Sequence, residues 1–254
     1  TIESEQLKEH LYMIASDEFE GRETGKKGQK LAMNYLIENF KSYGIKEYLD
    51  KGYTQEFTLL EQEQKGVELE INGQDFVLNK DFSLSPKVLP KQQLNKELVF
   101  VGYGIEEDNY DSYQGNSIKE KAVFIMEGLP KGVQLKKEWT TKKKIDLAKS
   151  KGAKIIIYYS PKLKGNLAEF GHFYKKPKLI LEESLKNDVI IIAVTEEMAE
   201  SILKEGKLKL KKVLKKGLSL NDTFSTKIDL NLDKPTKELT SENVLAYIPG
   251  KELE

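Results

Sequence analysis

Residues 97–130 read ELVFVGYGIEEDNYDSYQGNSIKEKAVFIMEGLP; two short apolar runs, Leu98–Val101 and Ala122–Met126, bracket a polar, tyrosine-rich loop. Both runs carry β-branched or aromatic residues and are short, which predicts buried strands rather than helices. Gly102 and Gly104 flank Tyr103 where the first strand ends. A residue without a side chain there lets the backbone turn or lie close against a neighbour. A Gly-x-Gly after a strand is also half of a phosphate-binding signature. Here the third glycine is missing, and Glu106, Glu107 and Asp108 stand where an anion would need free N–H groups. The stretch therefore predicts a strand–loop–strand unit inside a β-rich module.

The bulk properties set the frame around it. A chain of 254 residues can bury one large core or two modest ones, and 39% hydrophobic with 32% charged residues is a globular composition. Lysine plus arginine total 41, as do aspartate plus glutamate, so the formal net charge is zero. That argues against a nucleic-acid partner, whose phosphates call for a basic excess. Arg22 is the only arginine, so the guanidinium fork used to read phosphates and guanines is otherwise absent. The longest apolar runs, Ile155–Tyr159 and Val189–Val194, are strand-sized, which predicts no membrane span. Cysteine is absent, which excludes disulfides and thiolate chemistry. The chain opens at Thr1 rather than methionine, the expected mark of a removed N-terminal segment, and Asn221-Asp222-Thr223 matches a glycosylation sequon.

Along the chain, Leu7, Leu11 and Ile14 recur at helical spacing over Glu5–Ala15, with Ser4 placed to cap. A loop through Ser16–Gly25 leads to a second expected helix from about Gly28 to Tyr43. It would bury Leu31, Ala32, Tyr35, Leu36 and Phe40, with Gly44 as its cap. Tyr53–Leu60 and Gly66–Ile71 read as strands, and Asn72-Gly73 as a hairpin turn into Phe76–Leu78. Beyond the central stretch, Glu138–Ser150 has a helical pattern, Ala153–Ser160 is an expected buried strand, and Gly165–Lys178 reads as a loop. Val189–Val194 is a further strand, and Thr195 can cap a helix whose first turn holds Glu196 and Glu197. A lysine-rich amphipathic stretch reaches Gly217. Thr226–Leu232 and Asn243–Ile248 close the chain as strands. The fold class is mixed α/β.

Side chains that perform chemistry are scarce. His10 and His172 are the two histidines, and neither has a partner at metal-ligand spacing. His10 reads as a helix-face residue. His172 lies among Phe170, Phe173 and Tyr174 and is a candidate for ligand or partner contact. There is no Gly-x-Ser-x-Gly elbow, and Glu107, Asp108 and Asp111 lack the alternation and glycine of an EF-hand loop. Arg22, alone between Gly21 and Glu23, reads as a structural anchor holding a carboxylate with its fork.

Three segments together resemble the M28 family of zinc-dependent aminopeptidases. The first is Leu11–Asp17 followed by Glu20-Gly21-Arg22-Glu23-Thr24-Gly25-Lys26-Lys27-Gly28, similar to the family's N-terminal entry. The second is the central stretch. Phe100–Ile105, Tyr110-Asp111-Ser112-Tyr113 and Lys119-Glu120-Lys121-Ala122-Val123 resemble the protease-associated (PA) domain inserted in many of these peptidases, with Glu120 where the pattern has glycine. The third, Asn243-Val244-Leu245-Ala246-Tyr247-Ile248-Pro249-Gly250, looks like the strand that opens the catalytic domain.

The resemblance implies a peptidase-domain segment over 1–65, an inserted β-rich PA domain over 66–225, and the first strands of a truncated peptidase domain over 226–254. The family's catalysis uses two zinc ions held by His, Asp and Glu, the first of them in a His-x-Asp element after the third segment. No position of this chain matches that element, so no catalytic or metal-binding residue is carried over, and hydrolysis by this chain is not expected. Zinc is expected in the parent enzyme and not in this chain. The parent would be secreted or periplasmic and would act on peptide substrates. The PA domain would shape substrate access or contact a partner, with Tyr103, Tyr110, Tyr113, His172 and Phe173 as the expected exposed contacts. The alternative is a freestanding PA-type module that binds protein or peptide. Strands Tyr53–Leu60 and Asn243–Ile248, expected to be unpaired, would promote self-association.

Overall fold

A computed structural model describes residues 3–48, 52–186, 189–218 and 222–250; Thr1 and the sequon's Asn221 lie outside the described residues. The fold is mixed α/β. In chain order it begins with α1 (Ser4–Ala15), a 3-10 segment (Asp17–Arg22), α2 (Lys27–Ser42), β1 (Lys46–Glu47) and β2 (Thr54–Gln62). Then come β3 (Val67–Ile71), β4 (Gln74–Phe76), β5 (Phe82–Leu84), β6 (Lys91–Phe100), β7 (Glu106–Glu107), β8 (Tyr110–Asp111) and β9 (Ala122–Ile125). They are followed by α3 (Thr141–Ser150), β10 (Ile155–Tyr159), α4 (Leu163–Lys175), β11 (Lys178–Leu181) and β12 (Ile190–Val194). The chain closes with α5 (Glu196–Glu205), α6 (Leu210–Lys216), β13 (Phe224–Asp233), β14 (Thr236–Val244) and β15 (Ala246–Tyr247).

These elements form two compact units: Thr1–Leu60 with Glu238–Glu254, and Glu61–Lys237. The first unit holds α1, α2 and the β1–β15 antiparallel pair, and β2 and β14 are sheet neighbours. The strands expected to be unpaired are therefore paired. Gly28 is the one buried residue of α2, because the helix start presses on the Phe19 carbonyl so closely that no Cβ fits between them. The residues expected to be buried along α2 are only half-buried, and Leu31 is exposed. The Lys30 ammonium pairs with Glu242, tying α2 to β14.

The second unit is built on an eight-stranded sheet in the order β4-β3-β13-β6-β9-β10-β12-β5. Its middle, β6 to β12, is parallel, and both flanks are antiparallel. Parallel strands require cover on both faces, and the side chains alternate accordingly. Phe124, Ile155 and Ile157 join the cluster that includes Met198, Ile202 and Val213 from α5 and α6. Val123, Ile125 and Ile156 join Ala148 of α3 in a second cluster. Thr195 caps α5 by accepting from the Met198 N–H at 3.5 Å, as its position predicts.

Two differences from the sequence reading concern boundaries. Phe224–Asp233 lies in this sheet between β3 and β6, so the division falls at 237/238 rather than at 225/226. Alternating Ile228, Leu230 and Leu232 announce a half-buried strand but not the sheet that receives it. Residues 165–178, expected to be a loop, are mostly helix α4, kinked at Phe170. Gly165 and Gly171 resemble loop punctuation, yet neither breaks the helix.

Candidate partner-contact site

The central stretch folds as the apolar runs predict, with β6 and β9 parallel and Val99 opposite Val123. The loop between them tucks inward. Gly104 adopts φ +65, and a Cβ there would come within 2.9 Å of the Ile125 side chain, so glycine serves both conformation and space. This inward path corrects the expected exposure of three tyrosines. Tyr103, Tyr110 and Tyr113 are 5%, 5% and 6% exposed. Tyr103 and Tyr110 belong to the larger core cluster and Tyr113 to the smaller. Burial raises the hydroxyl pKa of all three, most for Tyr113, whose oxygen lacks a hydrogen-bond partner. Their apolar rings fill space under the loop, a packing role that composition cannot separate from recognition.

The acidic side of the same loop borders a cleft of about 730 Å³ lined by Glu106–Asp111, Gln114, Lys137, Trp139 and Leu147. Glu107 accepts from the Lys136 N–H at 2.7 Å, the Lys137 N–H at 3.0 Å and the Trp139 Nε1–H at 2.7 Å. The Lys136 N–H bond is the chief cause that lowers its pKa below the usual carboxylate range. A carboxylate so engaged anchors the 136–139 segment. Among the described residues no group of three His, Cys, Asp or Glu is placed to hold a metal ion.

Two buried lysines escaped sequence reading, since a lysine in a charged chain carries no local sign of burial. Lys144 of α3 is 2% exposed and donates to the carbonyls of Met126 (3.3 Å) and Gly128, with Nζ 5.6 Å from the Tyr103 ring centre. It therefore pins the chain beyond the end of β9. Lys234, beyond β13, is 4% exposed, and its Nζ has no hydrogen-bond partner. Desolvation pushes both down to about 8.

Among the described residues no carboxylate is gripped by the Arg22 fork. Its Nη1 donates to the Ile14 carbonyl near the C-terminal end of α1, from a backbone at φ +59. The last carbonyls of a helix lack intrahelical donors, and a cation there meets the negative end of the dipole. His10 sits between two phenols, with Nδ1 2.6 Å from the Tyr35 oxygen and Nε2 2.9 Å from that of Tyr43, in the role of a helix-face residue.

His172 and Phe173 stay on the surface as expected. They are successive residues of α4, their ring centres are 3.9 Å apart, and the Lys176 ammonium lies 5.5 Å from the Phe173 ring centre. Of the residues of α4 only Leu163 is buried, while Phe170 and Phe173 are 42% and 51% exposed. Phe173, Tyr174 and Lys178 line one side of a groove of about 190 Å³, with Asn79, Ser83, Leu84, Pro86 and Gln64 around the rest. Asn79 Nδ2 donates to the Tyr174 carbonyl at 3.3 Å across it. Of the five sequence-selected contact residues, the structure brings His172 and Phe173 together at an accessible surface. It places the three tyrosines in the core.

No protein-family profile and no curated protein matches the chain. Among solved structures, an aminopeptidase from Aneurinibacillus sp. strain AM-1 is similar at 18% identity and a TM-score of 0.43, over 94% of this chain and 47% of that one. BSAP, a zinc aminopeptidase from Bacillus subtilis, is similar at 15% identity and a TM-score of 0.38, over 97% and 48%. The chain spans about half the length of these structures.

Proposed function

We propose that the chain is a non-catalytic N-terminal portion of a zinc-dependent, M28-type aminopeptidase that removes N-terminal residues from peptides. The observation that carries the reading is the order of three motif segments: Glu20–Gly28, then Phe100–Val123, then Asn243–Gly250. The division into units supports it, since the first and third segments fall in the interrupted unit and the second in the unit between. On this reading 61–237 is an inserted PA domain that shapes substrate access or contacts a partner. Zinc belongs to the parent enzyme, and the parent is secreted or periplasmic. No residue here matches the family's ligands, so this chain supplies no metal-activated water.

The test is hydrolysis of aminoacyl p-nitroanilides by the purified chain with zinc added. The expected result is no turnover above a zinc-only control, and chelator-sensitive turnover would overturn the non-catalytic part. A His-x-Asp element in the gene downstream of Glu254 is the second expectation. A stop codon there would favour the freestanding peptide-binding module, a reading that the accessible His172–Phe173 surface also supports.

A further inference from the structure

We infer that the groove between β5 and the C-terminal half of α4 docks an extended acidic peptide segment carrying one large apolar side chain. The inference deepens the partner-contact part of the reading above and needs none of its peptidase part.

Three observations converge on that occupant. The first is a free sheet edge. β5 is the last strand of the eight-stranded sheet, and its ladder partner is β12, with Leu84 opposite Ile192 and Ser83 opposite Ala193; on the other edge Phe82 forms a single bridge to Leu78. The phase of this ladder follows from the flanking bonds, Thr195 N–H to the Asp81 carbonyl and Ser85 N–H to the Ile191 carbonyl, both 2.9 Å. Antiparallel hydrogen-bonded pairs recur every second residue. Residues 81, 83 and 85 therefore turn their peptide groups toward β12, and Leu84 turns its N–H and C=O off the sheet. The Phe82 carbonyl on the same edge is already taken by the Asn79 N–H at 2.7 Å, and Pro86 has no N–H. Among the described residues no backbone partner takes the Leu84 N–H or C=O, so this one donor–acceptor pair is left for a strand laid alongside, which is how sheet edges recruit extended peptides.

The second observation is the wall. Phe173 and Tyr174 face Ser83, Leu84 and Pro86 across a groove of about 190 Å³. This is smaller than the roughly 300–1,000 Å³ of small-molecule sites and suits one side chain. A helix beside a free strand edge is the geometry that holds an added strand and reads its alternate side chains.

The third is charge. Lys175, Lys176 and Lys178 stand on the helix side, with Lys175 and Lys176 exposed. Lys178 lines the groove, and its Nζ donates to the Phe173 carbonyl at 2.6 Å, which leaves two of its three N–H donors. The nearby Asp81 carboxylate is engaged by the Val77 N–H at 2.8 Å. A peptide with Asp or Glu on both sides of its apolar residue complements this arrangement.

The probe is the fluorescein-labelled peptide Asp-Glu-Thr-Phe-Val-Glu-Asp, titrated with the full chain by fluorescence anisotropy at low salt. One apolar anchor and one backbone pair imply a Kd on the order of 100 μM. Two further peptides are N-methylated on alternate residues, each blocking one edge of the extended chain. The expected result is that one binds like the parent peptide and the other about tenfold more weakly or worse. Replacing the acids by lysine and the variant Phe173→Asp should each weaken binding at least tenfold. Phe173 is exposed enough for the variant to fold, which its melting temperature checks; if it does not, the N-methyl pair decides on the natural chain. No binding of the parent peptide, equal binding of the two methylated peptides, or capture by phosphatidylserine vesicles without peptide binding would overturn the inference. Peptide hydrolysis bears only on the enzymatic reading and leaves this titration unaffected.

Discussion

The two units bury their apolar residues very differently. In the unit of Glu61–Lys237, Phe82, Phe100, Phe124, Ile155, Ile157 and Val194 have no exposed surface at all. Among the described residues of the other unit the buried hydrophobic ones are Phe19 and Leu59, while Leu7, Leu11 and Tyr12 of α1 are 57%, 67% and 73% exposed. Both units use helices with an apolar side, yet in the larger unit α5 buries Met198, Ala199, Ile202 and Leu203, whereas α1 buries none of its residues. Periodicity shows that a helix has an apolar side, and whether that side is buried depends on what lies opposite.

The largest expected effect tests this contrast directly. Phe124→Ala should cost about 3–5 kcal/mol through lost burial and a cavity, whereas Leu11→Ala should change stability by less than about 0.5 kcal/mol. Chemical denaturation of both variants checks it. Equal losses would mean that α1 is covered in solution. Self-association is one way to cover it, and in that outcome sedimentation would show concentration-dependent oligomers that Leu7→Ser with Leu11→Ser disperses.

The next effect concerns the buried cations. Lys144 and Lys234 are held at about 8, against an ordinary 10.5. As pH falls below the ordinary value, the unfolded chain takes up these protons first, so stability declines until about pH 8 and then levels. Each lysine contributes a swing of up to about 3 kcal/mol. Lys234 has no partner to lose, so Lys234→Met should stabilise by about 1–3 kcal/mol at neutral pH and flatten part of the alkaline slope. Lys144→Met orphans two carbonyls and should gain less. Melting temperatures between pH 7 and 11 separate the two.

Smaller effects come from the two conspicuous motif positions. Arg22→Lys should cost about 0.5–1.5 kcal/mol by weakening the clasp on Ile14, and an unchanged melting temperature would remove its anchoring role. Glu120 adopts φ +62, where the resembled pattern has glycine, and its pairing with Lys154 at 3.6 Å is largely exposed. Glu120→Gly should gain about 0.5–1 kcal/mol, the left-handed strain relieved outweighing the added freedom of the unfolded chain.

Much of the fold was legible because its signals are local. Alternation in β13, isoleucine runs in β10 and β12, the Thr195 cap and the paired apolar runs of 97–130 each concern neighbours in sequence. The contact site was legible only in part. His172 and Phe173 stood out as clustered aromatics, but the groove beside them joins residues 83–86 to 173–178, and no spacing relates those segments.

The amino-acid sequence alone determined the mixed α/β class, the strands of 97–130 and the absence of thiol chemistry, since these follow from residue type and short-range period. Tertiary structure decided that Tyr103, Tyr110 and Tyr113 are core, that Lys144 and Lys234 are buried, and that β13 joins the larger sheet. The reason is physical. An aromatic ring or a lysine stem is amphipathic, and a strand's edge pairs with whatever reaches it, so chain-distant neighbours assign the role that composition leaves open.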